Sequence, residues 1–468
     1  MEDNIVIHWF RQDLRCCDNP SLTFTSERGT VLPIYIADDN EDYPQGSASK
    51  VWLHHSLKAL NHKLNHHLNF YQGDALDILC DLIKRHSVKL VCWNRCYEPW
   101  QIKRDASIKK KLMQKGIRVK SFNGFLLWEP WEVLKQDDSP YKVFTPFYKK
   151  AYLYCKKPRL PENVKLNKLM GDQNHAVTLD QLNLLPKHNW HKKIILGQYV
   201  GEDLTIERLK DFLSLQLDQY EDRRDFPAEN ITSRLSTALH FGEISPNMIL
   251  QSVSAQEPNS SQEKFLRQLV WREFSYHQLY YFNDLPIKSW KSKFDALPWE
   301  NNLELFKAWK IGQTGIPIID AAMRELWQTG IMHNRLRMVC ASFLVKNCFV
   351  DWRLGSKWFW NCLLDADLAN NSAGWQWVAG TGADASPYHR IFNPVRQSMR
   401  FDPEGIYIRK YIPEIAGLPT KYLFEPWSAP KDILEENNVS LGQTYPYPIV
   451  DLAHTRKKAL LYYQALKN

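Results

Sequence analysis

Short apolar runs separated by amphipathic stretches open the chain. Asn4 to Phe10 (NIVIHWF) and Val31 to Ala37 (VLPIYIA) are apolar enough to be strands buried on both faces, and Leu68 to Tyr71 and Val88 to Trp93 repeat the pattern. Between them, residues 49–66, 75–86 and 101–115 carry apolar positions at helical spacing. Buried strands alternating with helices predict a parallel sheet, in an α/β domain ending near residue 130. Pro130, Pro140, Pro146, Pro158, Pro161 and Pro186 then interrupt any period, so 131–201 is expected to connect two domains. From 202 to 468 helical spacing dominates. Thr205 is expected to open a helix carrying Arg208, Leu209 and Phe212, and 262–282, 303–310, 316–328, 332–347 and 356–366 keep the same period, which predicts an all-α second domain. No internal repeat or low-complexity tract interrupts this division.

Bulk properties narrow the class. A chain of 468 residues has room for two or three domains and a buried ligand. It has no run near the roughly 18 apolar residues of a membrane span, and the start MEDNIVIHWF lacks a secretory pattern, so a cytoplasmic protein without membrane partners is expected. Nine scattered cysteines without a CxxC pair argue against a disulfide framework and against a metal site. The net charge of +8 permits a polyanionic partner without requiring one. Eighteen Trp, 21 Tyr and 21 Phe are more informative, because each buried indole N–H needs an acceptor. Composition alone fits a Trp-rich core better than an aromatic ligand or an electron path.

Four stretches carry candidate chemistry. TSRLS, Thr232 to Ser236, gathers hydroxyls and N–H groups at a helix start, an arrangement that can hold phosphate and that is more often a plain N-cap cluster; Tyr220, Arg223 and Arg224 lie upstream. In FLRQLVWREFSYH, residues 265–277, Gln268, Trp271 and Arg272 share one helix face. A core helix explains Trp271 equally well, but not its polar neighbours. MHNRLRMVCASFLV, residues 332–345, sets Asn334 and Met338 on one face with Arg337 beside it and Arg335 turned away. Asp365 to Pro394 opens with two carboxylates, three amides and two Trp within thirteen residues, a polar set that points to a bound group other than a metal.

These residues closely resemble the photolyase and cryptochrome family, and within it the class I cyclobutane-dimer photolyases. The resemblance runs from WFRQDLRCCDNP (Trp9 to Pro20) through TSRLS, WREF (Trp271 to Phe274), KIGQTGIPIIDAAMREL (Lys310 to Leu326) and MHNRLRM (Met332 to Met338) to NNSAGWQW and RIFNP. It implies an N-terminal Rossmann-like antenna domain and a larger all-α domain holding FAD. By that similarity Thr232, Ser233, Arg234, Leu235 and Ser236 hold the FAD phosphates, with Tyr220, Phe265, Arg272 and Asn334 alongside. Arg337 and Asp365 are the ion pair beside the isoalloxazine ring, Asp367 is a further polar contact, and Asn371 faces flavin N5. Trp375, Trp352 and Trp299 match the family's electron-transfer chain, counted outward from the flavin.

The implied substrate is UV-damaged DNA, bound by a monomer, with the dimer flipped out of the duplex. Trp271 and Trp377 match the aromatic walls of the lesion pocket, Asn334 and Met338 its lining, and Arg224, Arg335 and Gln397 the residues near the DNA backbone. WNRCYEP, Trp93 to Pro99, stands where relatives contact a second chromophore, leaving open methenyltetrahydrofolate, 8-hydroxydeazaflavin or neither. One position departs from the pattern. Class I enzymes carry Glu three residues before the Trp of WREF, and this chain has Gln268, as (6-4) photolyases and animal-type cryptochromes do. Those relatives carry His where this chain has Asn334 and Met338. The leading expectation is light-driven splitting of cyclobutane dimers, with lower efficiency set by Gln268. The alternatives are a blue-light photoreceptor and a (6-4) repair enzyme.

Overall fold

The computed structural model describes residues 4–38, 43–172, 175–388 and 390–466. Its sheet has five parallel strands, β1 (Ile5–Phe10), β2 (Thr30–Ala37), β3 (Asn69–Gln72), β4 (Leu90–Asn94) and β5 (Arg118–Phe122), in the order β3-β2-β1-β4-β5. The four strands expected from their apolar runs are present. β5 was not expected, because it is a short edge strand in which only Val119 and Phe122 are apolar. Ile7, Trp9, Leu32, Ile34, Val91 and Trp93 form the middle of the core, and Trp9 and Trp93 meet edge to face at 5.8 Å. Order reverses between β1 and β4, the position at whose carboxyl end ligands enter open α/β sheets. Here Arg11 occupies it, donating to Asp105 at 2.9 Å and to the carbonyl of Asn94.

By backbone proximity, residues up to 218 together with 233–283 and 364–367 form one compact unit, and 219–232, 284–363 and 368–468 another. In the first unit the segment expected to be a connection lies against the sheet: Lys168 O accepts from Val31 N, and Val177 N donates to Phe70 O, each at 2.9 Å. Asp172 on that segment takes Tyr71 Oη at 2.6 Å and Arg85 at 2.8 Å. Proline removes helix there without loosening the chain.

Glu243 of this unit is fully buried and accepts from Gly201 N at 2.8 Å. No cation among the described residues pairs with it, and burial pushes its carboxyl up to about 7. Between about pH 4.5 and 7 the folded protein therefore holds a proton that the unfolded chain has released, and this contribution to stability is lost as pH rises through that window. Glu243→Gln keeps an acceptor for Gly201 and removes the titration. It is expected to raise stability at pH 8 by about 2–3 kcal/mol and to flatten the profile of denaturation midpoint against pH. Parallel profiles for the two proteins would refute this.

The second unit is helical among the described residues. Its helices include Leu303–Ile311, Pro317–Thr329, Asn334–Lys346, Trp352–Cys362, Leu368–Ala379 and Leu452–Ala465. Asn302 caps the first through Glu304 N and Leu305 N, and Pro317 opens the next. The helix expected from residue 356 begins at Trp352, because the Asp351 side chain accepts from Arg353 N and caps it a turn earlier. No helix among the described residues is long and apolar enough to cross a membrane.

Candidate functional site

Three expected tryptophans converge on one stretch of the second unit. Trp375, on the helix Leu368–Ala379, is 3% exposed and meets Phe359 edge-on at 5.0 Å and Trp309 at 6.3 Å. Its ring lies on the backbone of the helix Trp352–Cys362, where a Cβ added to Gly355 would stand 2.2 Å from Trp375 Cη2. Gly355 is one turn beyond Trp352, so Trp375 rests on the helix that Trp352 opens. Trp299 packs with Phe294, Leu297 and Phe349. Its loop is tied to the same segment by Glu300 N to Phe349 O and by Asp351 N to Asn301 Oδ1, both 2.9 Å. The indole N–H groups of Trp299 and Trp352 are buried and find no acceptor among the described residues.

The contact at Gly355 is testable. In an ordinary helix Gly→Ala adds stability of roughly 1 kcal/mol. Gly355→Ala is instead expected to cost about 1–3 kcal/mol, because Trp375 and Leu344 must give way. A denaturation midpoint above that of the parent would show that the ring does not rest there.

Asn371 stands close by. Its Nδ2 donates to Ser356 O at 3.2 Å and Oγ at 3.0 Å, which leaves Oδ1 as its acceptor. Asn334 Nδ2 is 3.9 Å from Met338 Sδ, so the two share a face as their spacing implied. Arg337 donates through Nε to Met332 O at 2.8 Å, and Arg335 points elsewhere, to Asp225 at 2.5 Å and across Phe401 at 4.4 Å. Arg224 donates to Tyr220 Oη at 3.3 Å, and its carbonyl takes His333 Nε2 at 2.8 Å. Trp377 and Gln397 are half-buried. Gln376, fully buried and next to Trp377 in sequence, donates to Leu285 O and Lys288 O and accepts from Trp290 N. Part of the polar density of this stretch therefore needs no ligand.

In the first unit Ser233 to Leu235 of TSRLS lead into the helix Ser236–Phe241, whose cap at Leu235 makes no side-chain hydrogen bond. Arg234 sits at φ 55° and Ser233 O accepts from Arg208 Nε at 2.9 Å. Phe265 packs on Phe212 at 4.7 Å. On the helix Ser260–Tyr281, Trp271 stacks on Phe144 at 3.6 Å and 7°, and Gln268 is half-buried. Arg272 pairs with Glu273 at 2.9 Å and lies over Phe125 at 4.4 Å. Asp365 is half-buried, and Asp367 accepts from Tyr276 Oη and meets His240 Nδ1 at 3.2 Å. Tyr276 and His240, which sequence reading did not single out as partners, are 91 and 127 residues from Asp367, so no local spacing could reveal them. Tyr97 and Glu98, at the end of β4, are buried and partnered, Tyr97 Oη with Glu129 at 2.8 Å and Glu98 with the Trp100 indole at 2.7 Å. Among the described residues no group of His, Cys, Asp or Glu forms a metal site.

Residues 6–165 match the DNA photolyase model, and residues 265–465 match the FAD binding domain of DNA photolyase. The deoxyribodipyrimidine photo-lyase of Agrobacterium fabrum is 44% identical over 99% of this chain and 98% of its own length. The crystal structure of a bacterial class III photolyase from Agrobacterium tumefaciens superposes with a TM-score of 0.96 at 43% identity, covering 100% of this chain and 98% of that one. Cryptochrome-2 of Arabidopsis thaliana is 35% identical over 97% of this chain and 78% of its own length. The chain belongs to the photolyase/cryptochrome family, and FAD is its cofactor. The structure from Agrobacterium tumefaciens is of a class III enzyme, whereas the motifs of this chain resemble those of class I. The residues present in the second unit fit a flavin: Asn371 Oδ1 accepts no hydrogen bond among the described residues and is open to a flavin N–H.

Proposed function

We propose that the protein splits cyclobutane pyrimidine dimers in DNA, as a photolyase of the class III type. FAD, bound in its fully reduced anionic form, supplies the light-excited electron that opens the cyclobutane ring. The observation that carries this reading is the convergence of Trp299, Trp352 and Trp375 on residues 349–355, which joins a surface loop to a buried indole beside Asn371. Thr232, Ser233, Arg234, Leu235 and Ser236 hold the phosphates, with Tyr220, Phe265 and Arg272 alongside. Arg337 and Asp365 balance charge at the ring, Asp367 adds a polar contact, and Asn371 Oδ1 accepts from the N5 hydrogen. Trp271 and Trp377 offer flat surfaces to an extruded base, Asn334 and Met338 line its seat, and Arg224, Arg335 and Gln397 meet the strand.

Gln268 favours a second reading, repair of the (6-4) photoproduct. Its amide donates a hydrogen bond to a thymine carbonyl but supplies no proton. The decisive experiment irradiates the reduced protein with near-ultraviolet light on oligonucleotides carrying either lesion and assays restored bases. Restoration of the dimer alone supports the proposal, and restoration of neither moves the protein to light sensing. Gln268→Glu is expected to raise dimer repair per absorbed photon by about twofold, the value of ~0.5 kcal/mol in one hydrogen bond. An unchanged yield would remove the role given to this position.

A further inference from the structure

Outside the residues placed around the flavin, the first unit carries a strip that no function above uses. Between Asp138 and Glu162 the chain has no carboxylate, and it carries Lys142, Lys149, Lys150, Lys156 and Lys157 besides Arg159, which is paired with Asp18. The same stretch folds as a short helix, Phe144–Lys149, continued by a π-helical turn, Lys150–Tyr154. That turn lays Tyr152 on Tyr148 at 5.5 Å and 11°. Tyr148 stands 5.8 Å from Phe144, which is itself stacked on Trp271. Arg267 lies 5.2 Å from both Phe144 and Tyr148 and lines the ladder with a further cation. Glu263, on the neighbouring helix, is the carboxylate whose charge reaches Tyr148.

At its outer end the ladder is open, with Tyr152 43%, Leu153 64% and Tyr154 74% exposed. Tyr152 covers one face on Tyr148 and leaves much of its ring exposed beside Tyr154, and apart from Glu263 on the neighbouring helix the charges of this stretch are positive. Rings interleaved with cations suit a strand whose bases are unpaired: each base offers a face for stacking, and each phosphate a charge for lysine. A duplex stacks its bases on one another and offers only their edges, so it can use the lysines but not the rings.

We propose that this strip binds single-stranded nucleic acid, seating an unpaired base on Tyr152 and the phosphates along Lys149 to Lys157. Because the ladder ends on Trp271, the occupant is the strand flanking an extruded lesion. That last step rests on the repair function proposed above; the strip itself is tested without a lesion.

The flavin-loaded full chain is titrated with a labelled lesion-free oligothymidylate and with the same strand in a duplex, across a range of salt. Tyr152→Ala is expected to weaken single-strand binding about tenfold and duplex binding little, while Tyr152→Phe binds like the parent. Lys149→Gln with Lys157→Gln is expected to lower the slope of log affinity against log salt by about 1.4 for the single strand. The flavin spectrum reports that each variant is folded. Equal single-strand affinity in Tyr152→Ala and the parent, an equal loss for both nucleic acids, or an unchanged salt slope overturns the proposal. Loss of dimer repair with these effects intact would remove the repair function and leave the strip standing; repair intact without them removes the strip alone.

Discussion

Trp375→Phe is expected to abolish light-driven reduction of the oxidised flavin while leaving repair by chemically reduced protein close to normal. Trp375 is, with Trp352, one of the two buried indoles of the three, seated on Gly355 one turn from Trp352 and on the same helix as Asn371. A phenyl ring keeps the edge-on contact with Phe359 and part of the packing over Gly355, so the fold should survive. Its oxidation is far harder than that of indole, and ~3 kcal/mol of added barrier already slows a step by about a hundredfold. The measurement is flavin absorbance under blue light with an external reductant, followed by dimer repair after reduction by dithionite. Photoreduction within a factor of about two of the parent would show that electrons reach the flavin by a route that bypasses Trp375. Loss of both readouts would show that the indole is needed for the fold or for FAD itself.

How much of this was legible in the sequence depends on how local each signal is. The four apolar strands could be read because burial on both faces leaves a continuous run, whereas β5 hid in RVKSF, where a sheet edge tolerates charge. Asn334 and Met338 could be placed together because a helix turn joins them. The start of the helix at Trp352 was misread because the apolar period begins later than the Asp351 cap that fixes it.

Long-range pairing is another matter. Periodicity could call Trp299, Trp352 and Trp375 only packing residues; their common role came from the resemblance, and their convergence from two backbone hydrogen bonds and one missing Cβ. Arg272 could be placed on the face of Trp271, but not that it pairs with the next residue and covers Phe125. Nothing in the letters joins Asp367 to His240 and Tyr276. The ring under Trp271 was equally hidden, since Phe144 lies in the stretch read as a connection.

Arg15→Met is expected to cost about 4–6 kcal/mol, a large part of the ~5–15 kcal/mol that holds a domain together. WFRQDLRCCDNP carries part of the resemblance, and its chemistry in this structure is scaffolding. Arg15 is 1% exposed and donates to Asp18 O at 2.8 Å, to Gly124 O at 2.6 Å and to Gly242 O at 2.9 Å. One guanidinium therefore ties the loop after β1, the turn after β5 and the end of the helix Ser236–Phe241 that TSRLS opens. Gly242 permits that approach: it sits at φ +69°, and a Cβ there would stand 2.1 Å from Gln12 O. Burial works against the charge of Arg15, and the Asp18 and Asp13 carboxylates offset it. Met fills the volume of the stem but leaves three buried carbonyls without donors, at about 1–3 kcal/mol each. Lys offers a single point of donation where the fork reaches three carbonyls, so Arg15→Lys should fall between the two. Urea denaturation followed by far-ultraviolet circular dichroism, with FAD retention measured alongside, reads both effects. A loss below about 1 kcal/mol for Arg15→Met would mean that water replaces the guanidinium at no penalty and that this motif does not hold the TSRLS helix in place.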